Sequence, residues 1–170
     1  QYSFLIYSIQ MASWFKKKKR TIQIGDSSKI NVKPINYPAK IIIAWSKAIE
    51  GNREITQWLK ENGYEELAMA TFAIYLKKEA RNWLQENGYP QLLALINAAE
   101  GNASAQNWLL IHDFEILYHI ALAVESERES WVWLKQNATQ DLFLLALSIK
   151  SIKDKIEENH NDVHTFGKDF

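Results

Sequence analysis

The sequence predicts a mainly helical chain built from stacked helix pairs, and three observations carry that expectation. Nearly the same words recur 25 residues apart, WLKENGYEEL from Trp58 and WLQENGYPQL from Trp83. Several columns of residues keep that interval over four units, as stacked repeat architectures do. Seven tryptophans and 47% apolar residues in a chain of 170 supply enough surface for a core, while the absence of cysteine removes disulfides and thiolate metal sites.

The chain opens on QYSFLIYSIQMASWF, fifteen residues without a charge, followed at once by the basic segment Lys16, Lys17, Lys18, Lys19 and Arg20. An apolar stretch against a basic cluster is the pattern of a membrane-proximal anchor. It is shorter than the ~20 apolar residues a span needs, so it reads as an interfacial segment or the end of a span. A blander account makes Met11 the natural start and the ten residues before it an upstream extension. Residues 21–40 follow as a hairpin and linker. Ile22, Ile24, Ile30 and Val32 alternate about a Gly-Asp-Ser-Ser turn, which predicts a β-hairpin, and KPINYP marks the boundary to the repeats.

The repeat array is expected over residues 41–158. Trp58, Trp83, Trp108 and Trp133 are each followed by leucine, at Leu59, Leu84, Leu109 and Leu134. Leu67, Leu92, Leu117 and Leu142 form another column; Ala48, Ala73, Ala98 and Ala123 form a further one, continued by Ser148. Each unit reads as two short helices. Pro90 opens a helix where a missing N–H is harmless, Gly-Asn interrupts it, and a second helix closes on Gly63 or Gly88 as the left-handed residue. Asp113 and Thr139 stand where they would cap the following helix. So short a pair cannot bury its own apolar face, so the units must stack, which places the tryptophan column in the interior. A polar tail is expected over residues 159–170.

This pattern resembles the α-solenoid class, the superhelices of paired helices such as HEAT, armadillo and tetratricopeptide arrays, over about residues 41–158. The 25-residue unit is shorter than those families' units and the tetratricopeptide signature residues are absent. The resemblance implies a right-handed α-α superhelix of about four helix pairs plus a closing helix, with an extended surface for binding other proteins.

The formal charge of zero hides an asymmetry: residues 1–40 carry eight Lys/Arg against one Asp, and residues 41–170 carry twelve against nineteen Asp/Glu. Glu50, Glu100 and Glu125 share one register, and Glu54, Glu79 and Glu129 another, so stacking predicts an acidic ridge suited to a basic segment. A second candidate surface appears where polar columns turn apolar. Leu110 and Ile111 replace Lys60 and Glu61, and Trp131 and Val132 replace Thr56 and Gln57, which predicts one apolar partner-binding patch across neighbouring second helices, unless the closing helix or the N-terminal segment covers it.

Chemistry is thinly represented. His112, Glu115 and His119 read as a helix end and a core position rather than as metal ligands, and His160 and His164 have the spacing of a zinc pair but only Asp162 as a third ligand. No phosphate loop, nucleophile elbow or paired-carboxylate motif occurs. Asn102 and Asn137 open glycosylation triplets that matter only in a secretory setting. The expectation is therefore a non-catalytic scaffold for protein–protein interaction, not an enzyme, without cofactor or metal, cytoplasmic or peripheral to a membrane. Its expected partner is a protein, basic in character, or a second copy. The alternative is a membrane adaptor that holds an anionic surface through residues 1–20. Nucleic-acid binding through the basic run is the weakest reading, since the acidic array repels phosphate.

Overall fold

The structure, a computed structural model, describes the backbone of residues 32–165 and the side chains of residues 32–159. The polybasic segment Lys16–Arg20, the apolar stretch before it and the turn of the expected hairpin lie outside the described residues. The mainly helical expectation holds, with nine helices and no strand among the described residues. They are α1 Ala39–Ile49, α2 Arg53–Glu61, α3 Glu65–Ile74, α4 Lys78–Glu86, α5 Pro90–Ala98, α6 Ala103–Ile111, α7 Glu115–Val124, α8 Arg128–Asn137 and α9 Gln140–Thr165. The last helix thus runs on through residues expected to be tail. None of the described helices is long and apolar enough to cross a membrane.

Local rules place the helix ends. The side chains of Asn52 and Asn102 accept from the N–H of Ile55 and Ala105 and so cap α2 and α6. The turns after α1, α3, α5 and α7, the inner helices of the pairs, each need one residue at positive φ, and Gly51, Leu76, Gly101 and Ser126 fill that register in turn. The turns after α2, α4 and α6 use Gly63, Gly88 and Asp113 in the same way, whereas Ala138 after α8 is extended. Asp113 therefore does not cap α7 as expected: with φ at 62° it serves as the left-handed residue, and the capping position falls to Phe114, which makes no side-chain cap bond.

Each of α2, α4, α6 and α8 packs on the inner helix of its own unit and on the inner helix of the next. The inner helices touch in the order α1, α3, α5, α7, α9, and α9 returns to α1 in the most extensive helix contact of all. The first and last helices thus meet, whereas an open superhelix would hold its ends apart. The middle of α9 reaches the C-terminal ends of α1 and α5, where Ser148 donates to Glu50 and Lys153 to Glu100, both at 2.7 Å.

The core lies between these inner helices. Trp45, Ala70, Leu95, Ile120 and Leu145 share one fully buried register that ranges from the smallest of these side chains to the largest. Among the outer helices the buried column is leucine: Leu59, Leu84, Leu109 and Leu134 have no exposure. The tryptophan column beside it is not interior, which corrects the expectation. Trp58 is 44% exposed, and Trp83, Trp108 and Trp133 are only partly buried. Their rings stack on the aromatic residue that opens the next unit, Tyr64, Tyr89 and Phe114, at 6.2, 6.2 and 5.8 Å. Trp133 has no such neighbour and stacks on His119 at 3.9 Å. One residue of helical phase separates the two columns, and the branched aliphatic side chain takes the deeper position.

Candidate functional site

Residues 32–38 form an irregular strap laid over the starts of the inner helices. Lys33 donates its backbone N–H to the Gly88 carbonyl at 2.9 Å and accepts from the Gln91 amide at 2.7 Å, with its ammonium over the Tyr89 ring. Further along, the Tyr37 hydroxyl donates to the buried Glu66 carboxylate at 2.7 Å, and its ring meets Tyr64 edge-on. Burial and that carboxylate push the Tyr37 hydroxyl far above the ordinary phenol range. Two prolines, Pro34 and Pro38, remove donors that this irregular backbone has no partner for.

Where the strap enters α1, it borders an open cleft of about 620 Å³. One wall is Ile35, Tyr37 and Ile42; the other is formed by Phe114, Ile116 and Leu117 at the start of α7 and Leu142 at the start of α9. Ile116 is 37% exposed although apolar, because it looks into this space rather than into the core. The rim carries three carboxylates, Asp113, Glu115 and Asp141. Glu115 and Asp141 occupy first turns, where they answer the positive ends of their own helices. What remains is an apolar floor with an acidic border, a combination that favours an apolar group flanked by positive charge.

The residues singled out in the sequence fall elsewhere. Leu110, Ile111 and Val132 are 46%, 57% and 50% exposed. They do not join into one patch across packed second helices, because α6 and α8 make no helix contact: each is wedged between inner helices instead. Trp131 is half buried against Phe143 of the closing helix, with ring centroids 5.4 Å apart. The acidic ridge is divided. Glu54, Glu79 and Glu129 are exposed in the first turns of α2, α4 and α8. Glu125 is exposed, with a carboxylate oxygen 3.0 Å from the place a Cβ on Gly101 would take. Glu50 is bound by Lys47 and Ser148, and Glu100 by Arg81 and Lys153, so two of the three carboxylates of that register are occupied within the chain.

Sequence reasoning missed the strap and the partners of Glu100. Arg81 left a signal: it is the one cation in a column otherwise made of Thr56, Gln106 and Trp131. The histidines take ordinary structural places among the described residues. His112 ends α6 and lies on Trp108 at 4.2 Å, His119 is partly buried beside Ser130, and no cluster of three His, Cys, Asp or Glu among the described residues has metal-binding geometry.

No protein-family model, no curated protein and no solved structure matches this chain, so the chemistry of the cleft stands on the residues alone.

Proposed function

We propose that the chain is a non-catalytic binding module, a short helical-repeat scaffold that holds a segment of a partner protein in the cleft between the strap, α7 and α9. The single observation that supports this most is the pairing of an apolar floor with a rim of three carboxylates around about 620 Å³. That volume accepts one or two large side chains, and the rim selects basic neighbours. In this reading the units form a single superhelical turn, and the return of α9 to α1 creates the seam at which the cleft lies. The partner is a basic, extended segment with an apolar anchor.

A fluorescence-anisotropy titration tests it with two labelled peptides that share a Leu-Phe pair, one flanked by lysines and one by glutamates. The lysine peptide should bind tenfold or more tightly at low salt and lose most of that advantage at high salt. Asp113→Asn with Glu115→Gln and Asp141→Asn should remove the preference, and Ile116→Arg should weaken both peptides. Equal binding of the two peptides, or none at millimolar concentration, would overturn the reading.

A further inference from the structure

Four of the five contacts around the inner helices are covered on the outside by an outer helix: α2 over α1 and α3, α4 over α3 and α5, α6 over α5 and α7, α8 over α7 and α9. The fifth, between α9 and α1, is covered by no helix among the described residues. The repeat register identifies the side chains left bare there. On an inner helix, the position of His119 faces the outer helix of its own unit, where it meets Trp133 and Ser130. The positions of Asn97 and Phe143 face the outer helix of the preceding unit, where they meet Arg81 and Trp131. Carried to the seam, the first rule selects Leu144 of α9, and the second selects Ile43 and Lys47 of α1. Leu144 is 41% exposed and Ile43 43%, whereas Ala94 and Ala68 at the same registers are 8% and 1% exposed.

We infer that the outer side of this seam, which adjoins the cleft but is lined by different residues, is a second docking surface, and that it takes an amphipathic helix from a partner protein in the manner of the four outer helices. Those four state what the groove accepts. Each sets a fully buried leucine against two inner helices, with tryptophan one residue before it and Ile55, Ala80, Ala105 or Ser130 four residues before it. Helix-in-groove recognition uses the same spacing of anchors. Charge selects further: Lys40 lies one turn before Ile43 on α1 and Lys155 three turns beyond Leu144 on α9, while Lys47 and Glu50 neutralise each other. The partner helix is therefore acidic on its exposed flanks.

The test uses the full chain and a labelled peptide that copies Asn52–Gly63, together with its Lys60→Glu form. Binding by anisotropy is expected, several-fold tighter for the glutamate form at low salt. Ile43→Lys and Leu144→Lys in the chain should each weaken it tenfold or more with an unchanged thermal midpoint, and Leu59→Lys in the peptide should abolish it. Two outcomes overturn the inference. Absence of binding together with a lowered thermal midpoint in the Ile43 and Leu144 variants means that the chain itself, or a second copy revealed by concentration-dependent size, fills the groove. Absence of binding with no change in midpoint means the groove is inert.

Discussion

Lys153 of the closing helix reaches Glu100 at the end of α5 across 2.7 Å, joining residues 53 positions apart. The same carboxylate takes the Arg81 guanidinium on both its oxygens, and Arg81 also donates to Asn97 and to the Ala73 carbonyl. One acidic side chain thus ties α4, α5 and α9 together, and the two cations answer the negative ends of α3 and α5.

Replacing Glu100 by Gln should therefore destabilise the fold by about 2 kcal/mol, within the range for hydrogen bonds to charged groups. The loss should fall short of the roughly 3 to 5 kcal/mol for wholly buried pairs, since Glu100 keeps 24% of its side-chain surface. Burial alone would raise its pKa, but Arg81 and Lys153 outweigh burial and hold the carboxyl below the ordinary 4.5. A depressed folded value means the contribution is complete above the unfolded value and is lost as pH falls through the folded one. Urea midpoints at pH 7 and below pH 4 should differ less in Glu100→Gln than in the parent chain.

The two kinds of tryptophan should separate in a truncation series. Trp45 is 2% exposed at the centre of the core, so Trp45→Ala should cost about 3 to 5 kcal/mol. Trp58, 44% exposed and stacked only on Tyr64, should lose about 1 kcal/mol when cut to alanine, close to the usual effect of an aromatic pair. Its neighbour Leu59→Ala should cost about 2 to 5 kcal/mol. Equal losses at Trp45 and Trp58 would show that the half-exposed column carries the stacking.

These contrasts mark how far the sequence is readable. Periodicity locates helices, turns and units, because a turn residue such as Gly63 or Gly88 acts through its own backbone. It cannot choose between Trp58 and Leu59, which differ by one position, nor weigh Trp45, whose register with Ala70, Leu95, Ile120 and Leu145 repeats in burial but not in residue type. Nor does it reveal the contact of α9 with α1. That contact and the cleft beside it depend on Ser148, Lys153 and the strap finding residues about 30 to 100 positions away, and no local rule encodes such distances.

Leu76 and Ser126 occupy the register that Gly51 and Gly101 fill in other units, with φ of 64° and 76°. Side chains other than glycine are strained there, so Leu76→Gly should stabilise by about 1 kcal/mol, visible as a higher thermal midpoint. The reverse change, Gly101→Ala, should destabilise, since the new Cβ would lie 3.0 Å from the Glu125 carboxylate at φ of 82°. A midpoint unchanged by both substitutions would refute the strain.

His119 should give the fold a pH dependence near neutrality. Burial against the Trp133 face holds its imidazole below the ordinary 6.5, although Glu115 and Glu127 pull the other way. With the folded value depressed, the neutral ring is the stable form: its contribution is complete above the unfolded value and declines as pH falls through the folded one. Thermal midpoints measured from pH 7.5 to 5 should fall, and His119→Gln should flatten that part of the curve.

Trp131 and Leu110 should respond oppositely to charge. Trp131 is half buried edge-on against Phe143, so it belongs to the packing of α9, whereas Leu110 is 46% exposed on α6. Trp131→Glu places a carboxylate against an aromatic ring and should destabilise by about 2 to 3 kcal/mol through lost packing and desolvation. Leu110→Lys should change stability by less than about 0.5 kcal/mol, as surface substitutions do. Denaturant unfolding of the two variants decides between them. If Trp131→Glu retained full stability, the contact with Phe143 would contribute nothing, and Trp131 would return to the set of exposed candidates for partner binding.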